Sequence, residues 1–153
     1  MMSAIRLAQL LTYLGTLPFL YGALVSLGLA PWLVVLPFSV TDALLAYGVV
    51  ILSFIAGIHW GLALNQQSSS SSHALAFRLL AMSNVIALWA WLMWLWPTSG
   101  FSFWGLALGF GVMLSLDWYW LALQKSIPWF WRLRWQASAI AMLSLGLAGG
   151  YAG

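Results

Sequence analysis

Apolar runs of about twenty residues, the length a helix needs to cross a hydrocarbon slab, follow one another along almost the whole chain, separated by short polar or proline-containing joints. Five stretches qualify, near 8–29, 42–64, 75–96, 101–123 and 136–151. Backbone N–H and C=O groups find no water in lipid, so each crossing is expected to be helical. Composition agrees: 64% of the 153 residues are apolar and only 5% are charged. A water-soluble domain would carry charge on roughly a quarter of its residues. The chain therefore reads as one all-α domain over 1–153, a polytopic transmembrane helix bundle.

The lysines and arginines orient it. Arg6 precedes the first span, Arg78 opens the third, and Lys125, Arg132 and Arg134 lie between the fourth and fifth. The alternate joints carry none, so the positive-inside rule predicts an N-in, C-out arrangement. The same placement makes the net charge of +3 a matter of topology rather than of nucleic-acid binding. Gly28-Leu29-Ala30 after an apolar run imitates a signal-cleavage site. The run exceeds the roughly 7–15 residues of a signal core and Pro31 follows directly, so a retained helix is expected. No Arg- and Ser-rich transit segment precedes it, which points to a bacterial inner membrane before a mitochondrial one.

Two joints and one span start have a character of their own. Residues 65–73, NQQSSSSSH, are a polar low-complexity run expected to be a mobile inner loop. Residues 31–38, PWLVVLPF, are apolar, too short to cross and bracketed by prolines, as an outer interfacial or re-entrant segment would be. Ser39-Val-Thr-Asp42 resembles a capping box for the second span. The inner segment 128–135, PWFWRLRW, is expected to lie at the inner membrane face, where Trp129, Trp131, Arg132, Arg134 and Trp135 would contact anionic lipid. Pro18 is expected to kink the first helix near Gly15.

Asp117 is the acidic side chain most in need of a partner, because an intramembrane carboxylate is costly. His59 lies at a similar distance from the inner end of a span running the same way, and Arg78, Asn84 and Arg134 belong to the same inner layer. Such a cluster has two readings: glue between helices, or a site for a ligand, a lipid headgroup or a proton. No catalytic constellation accompanies it, and with no cysteine and two histidines neither a metal nor a cofactor is expected. Ser53, Gly57 and Gly61 on the second span, and Gly105 and Gly109 on the fourth, recur at i+4 as close-approach stripes for helix packing. Of twelve tryptophans, most fit interfacial belts, whereas Trp89 and Trp91 sit deeper, where they would line a cavity.

Tyr47 to Gly61, YGVVILSFIAGIHWG, together with LGTLPFL (14–20) and IPWFWRLR (127–134), resembles an uncharacterised family of small bacterial membrane proteins, domain of unknown function 3429, whose animal relative is called transmembrane protein 69. Ala56 stands where that family has a second glycine and Asn84 where it has a proline. The resemblance implies a multi-span inner-membrane protein of bacteria or mitochondria without an assigned activity, and a cation or hydrogen-bond donor at the position of His59. Likeness to the tryptophan-rich sensory proteins stops at size and tryptophan content. The residues lead to a non-enzymatic accessory, assembly or interaction subunit of a membrane complex, with other membrane-protein subunits, a second copy of itself and inner-leaflet lipid as its partners. The alternative is a binder or carrier of a small amphipathic ligand, held by the His/Asp/Arg cluster and a tryptophan-lined cavity.

Overall fold

The computed structural model describes residues 3–31, 39–65, 73–96, 99–121 and 128–151. These form five helices: α1 (Ala4–Ser26), α2 (Val40–Asn65), α3 (His73–Leu95), α4 (Gly100–Leu121) and α5 (Pro128–Tyr151). Four of them, α1 to α4, are long and apolar enough to cross a membrane. α5 has the length, but Arg132, Arg134, Gln136 and two serines make it the least apolar. Arg134, Ser138 and Ser144 on it are buried against the other helices, so part of its polarity is turned away from the surroundings.

The helix ends follow local chemistry. The Ser3 side chain caps α1 by accepting from Arg6 N. At the other end Gly28 takes φ 71°, a left-handed conformation that costs glycine little. Gly28 N bonds Val25 O and Leu29 N bonds Leu24 O, the paired bonds of a Schellman stop. The sequence that imitates a cleavage site is thus a helix terminus. Ser39 and Asp42 form the expected capping box, with Asp42 N bonding Ser39 Oγ at 3.1 Å and Ser39 N bonding Asp42 Oδ2 at 3.3 Å. His73, read from sequence as part of a polar loop, opens α3. The 128–135 segment is no separate interfacial piece: it forms the first two turns of α5, with Pro128 at the position where a missing N–H removes no helical bond. α1 runs unbroken through Pro18. Residues 32–38 of the expected interfacial or re-entrant stretch 31–38, the loop residues 66–72 and Lys125 lie outside the described residues.

The helices close into a ring in chain order, α5 returning to α1, while α2 contacts all four others. α1 and α2 are antiparallel: Phe19 stacks edge-on against Tyr47 at 5.0 Å, and the Tyr47 hydroxyl donates to Gly15 O at 2.8 Å. α2 and α4 run the same way, with Gly48 against Leu106 and Leu52 against Gly109. Each helix turns one seam inward at alternating three- and four-residue steps. On α4 the seam is Phe103, Leu106, Phe110, Met113 and Asp117; on α5 it is Arg134, Ser138, Ala141, Leu145 and Ala148; all are buried. Such spacing keeps one stripe of a helix facing its neighbours over several turns.

Exposed aromatic side chains gather at both ends of the bundle. Trp60, Trp118, Tyr119 and Trp135 lie toward one end, and Trp94, Trp96, Phe101, Trp104 and Tyr151 toward the other, as interfacial belts do. Gly105 and Gly109 form a trough on α4: a Cβ at Gly105 would collide with Met93, and one at Gly109 would stand 2.6 Å from Leu52 and 3.3 Å from Trp89. On α2 the small-residue stripe faces outward instead. Gly57 and Gly61 are exposed, with nothing within 4 Å of an added Cβ, and the inward seam there is Leu45, Leu52, Ala56, His59 and Ala63. Glycine spacing cannot tell these cases apart, because a lipid face and a packed face are both apolar. Gly105→Leu should lower the stability of the purified protein by about 1–3 kcal/mol through overpacking, while Gly57→Leu should cost nothing, as read by unfolding in detergent.

Candidate functional site

Three helices each bring one polar side chain to a single point inside the bundle. His59 stands in phase with Leu52, Ala56 and Ala63 on α2, Asp117 closes the α4 seam, and Arg134 opens the α5 seam. Their relative exposures are 0%, 2% and 8%. By helical rise, Asp117 lies roughly 6 Å from the end of α4, with His59 and Arg134 roughly 9 Å from the nearer ends of theirs. All three are therefore at the end of the bundle where α1, α3 and α5 begin, the end that also carries Arg6, Arg78 and Arg132.

Asp117 is the hub. Its Oδ1 is 2.7 Å from His59 Nε2, and its Oδ2 accepts from Arg134 Nε at 2.6 Å. A carboxylate paired with a guanidinium only accepts, so Nε2 is the protonated nitrogen of the imidazole. Each oxygen has its own donor from a different helix, which is the condition under which a buried charge is tolerated. The cluster is a charge-assisted tie joining α2, α4 and α5. Among the described residues no group of three His, Cys, Asp or Glu comes together, and a guanidinium stands where a third metal ligand would be needed.

Two other residues of the inner layer stand apart. Arg78 is exposed on α3, out of phase with the buried Ala76, Leu79 and Ser83. Asn84 is exposed as well and donates to Leu80 O of its own helix at 2.8 Å. Arg134 is not at the lipid interface. It lies two residues from Arg132, roughly 200° around the helix, so Arg132 is exposed while Arg134 is buried. Trp135 is 56% exposed, and Trp131 stacks on Trp118 at 5.2 Å.

The tryptophans read as cavity liners are placed otherwise. Trp89 lies over the α4 glycine trough and donates Nε1–H to Gly105 O at 2.8 Å, and Trp91 is half exposed. Sequence reasoning missed three further links. Tyr13 donates to Gln136 Oε1 at 2.7 Å across α1 and α5, Tyr47 bonds the Gly15 carbonyl, and Trp104 covers Gly146. Only Gln136, a polar side chain within an otherwise small and apolar stretch, hinted at a partner.

A groove of about 330 Å³ runs between α1, α2 and α5, lined almost wholly by apolar side chains, with Arg134 among them. A smaller polar recess of about 300 Å³ lies at the α1–α5 seam, bordered by Gln9, Tyr13, Trp129, Arg132 and Leu133.

Apolar helices of spanning length, belts at both ends and a charge cluster closed within the bundle define a multi-helix membrane protein. The chain belongs to the family described as Protein of unknown function (DUF3429), whose model matches residues 4–149, a range covering nearly all of the five helices. No curated protein and no solved structure matches it.

Asp117→Asn removes the charge that balances Arg134 and should destabilise the protein by about 3–5 kcal/mol, the cost of breaking a buried pair. The triple variant His59→Leu/Asp117→Leu/Arg134→Met should regain most of that loss. Detergent unfolding of the variants measures both.

Proposed function

We propose that this chain is a non-enzymatic bacterial inner-membrane protein that acts by lateral contact, as an accessory or assembly subunit of a membrane complex. It would cross five times, N-in and C-out. The observation that carries this reading is the outward stripe of α2. Every glycine that faces another helix of this chain is closed by a neighbour, whereas Gly57 and Gly61 lie open beside Phe54, Trp60 and Leu64, which are 72%, 45% and 56% exposed. In a membrane, helices associate through small residues that let backbones approach, so a stripe left unused within the chain suits a helix of another subunit or a second copy.

The charge cluster supports the same reading. With His59 and Asp117 buried and committed to each other and to Arg134, these two side chains hold helices in register rather than meeting a substrate. The five-span topology is supported by α5, which packs along α4 and α1. The orientation is supported by Arg6, Arg78, Arg132 and Arg134 sharing one end of the bundle, where Trp129, Trp131, Arg132 and Trp135 suit anionic headgroups.

Membranes of cells carrying a photo-crosslinking residue in place of Phe54 should yield a discrete crosslinked product, and Gly57→Leu with Gly61→Leu should abolish it without lowering the protein's own stability. A protein that migrates only as a monomer in mild detergent and gives no crosslink from α2 would refute the reading.

A further inference from the structure

Beyond that lateral contact, with which it shares Phe54, we infer that the groove between α1, α2 and α5 is a binding site for a long-chain carboxylate, a free fatty acid whose head is held by the Arg134 guanidinium. The groove runs along α1 from residue 8 to Phe19, roughly 16 Å by helical rise. Its walls include Ile55 from α2, Phe110 from α4 and Ala137 from α5. Arg134 is its one charged lining residue.

The chemistry of the head follows from how Arg134 is used. Only Nε is bonded to Asp117, and among the described residues the two η nitrogens have no hydrogen-bond partner. Arg134 is among the residues that line the groove, and a guanidinium that has given only Nε to a carboxylate keeps its end-on fork of η nitrogens, the donor pair that matches a second carboxylate bidentately. The side chain is only 8% exposed, which suits a compact two-oxygen head and leaves little room for a glycerophosphate. An incoming anion places two carboxylates around one guanidinium. Facing that point are Asp117 from α4 and, through it, His59 from α2, while α1 lines the groove with no titratable group.

The test uses the full chain purified in dodecyl maltoside and radiolabelled palmitate. The expected result is saturable binding of one palmitate per chain, competed by unlabelled palmitate and not by its methyl ester. Arg134→Gln should weaken it roughly 10- to 100-fold, the value of a hydrogen-bonded charge. Ala137→Phe, which fills the groove and leaves the cluster intact, should weaken it at least as much in a protein whose unfolding is unchanged. Arg132→Gln should leave it unaltered. Non-saturable uptake, equal competition by the methyl ester, binding insensitive to Ala137→Phe, or displacement of palmitate by phosphatidylglycerol at equal concentration would each overturn the assignment.

Discussion

A carboxylate cannot stay ionised inside an apolar bundle without partners, and the arrangement of this protein depends on how that demand is met at Asp117. One oxygen takes a donor from α2 and the other takes a donor from α5, so satisfying a single side chain sets the relative register of three helices. Apolar packing in lipid discriminates weakly between registers, because lipid tails solvate leucine about as well as a neighbouring helix does. A buried ion pair adds little net stability over an apolar substitute, but its loss on slippage is severe. Its effect is to exclude misaligned packings, a tie that Arg134 serves through Nε.

The rest of the interior is built by close approach. Trp89 and Met93 settle on Gly105 and Gly109, Trp104 covers Gly146, and Phe19 meets Tyr47 and Phe110 edge-on at 5.0 and 5.8 Å. These contacts replace a hydrophobic driving force with van der Waals fit. They leave two features unfilled: the outer stripe of α2 and the groove that Arg134 lines. The first is apolar and open; the second is apolar with a single charged lining residue. The two meet at Phe54, which lines the groove and stands beside the stripe.

The class of fold was legible in the sequence because it depends on solvent, and the count of spanning-length apolar runs reports solvent directly. The meeting of His59 with Asp117 was legible from their matching depth on parallel spans. Arg78 and Asn84 share that depth but stand outside, for a reason that phase alone reveals. Arg134 lies in step with Ser138, Ala141, Leu145 and Ala148, whereas Arg78 falls between the inward positions of α3. Depth is a linear measure along a helix, and facing is angular. When the lipid side is as apolar as the core, the usual polar–apolar contrast that would fix the angle is missing. That Gly57 and Gly61 turn outward while Gly105 and Gly109 turn inward was hidden for the same reason.

By itself, the amino-acid order determined that this chain is helical and membrane-embedded, that α2 begins at the Ser39–Asp42 box, and which end of the bundle is positive. These are local matters of hydropathy, capping and charge. Only the tertiary structure decided which face of each helix turns inward, that Arg134 leaves the interface to join Asp117, and that a groove opens beside it. Those depend on the mutual fit of five apolar cylinders, a property that no single stretch of the chain contains.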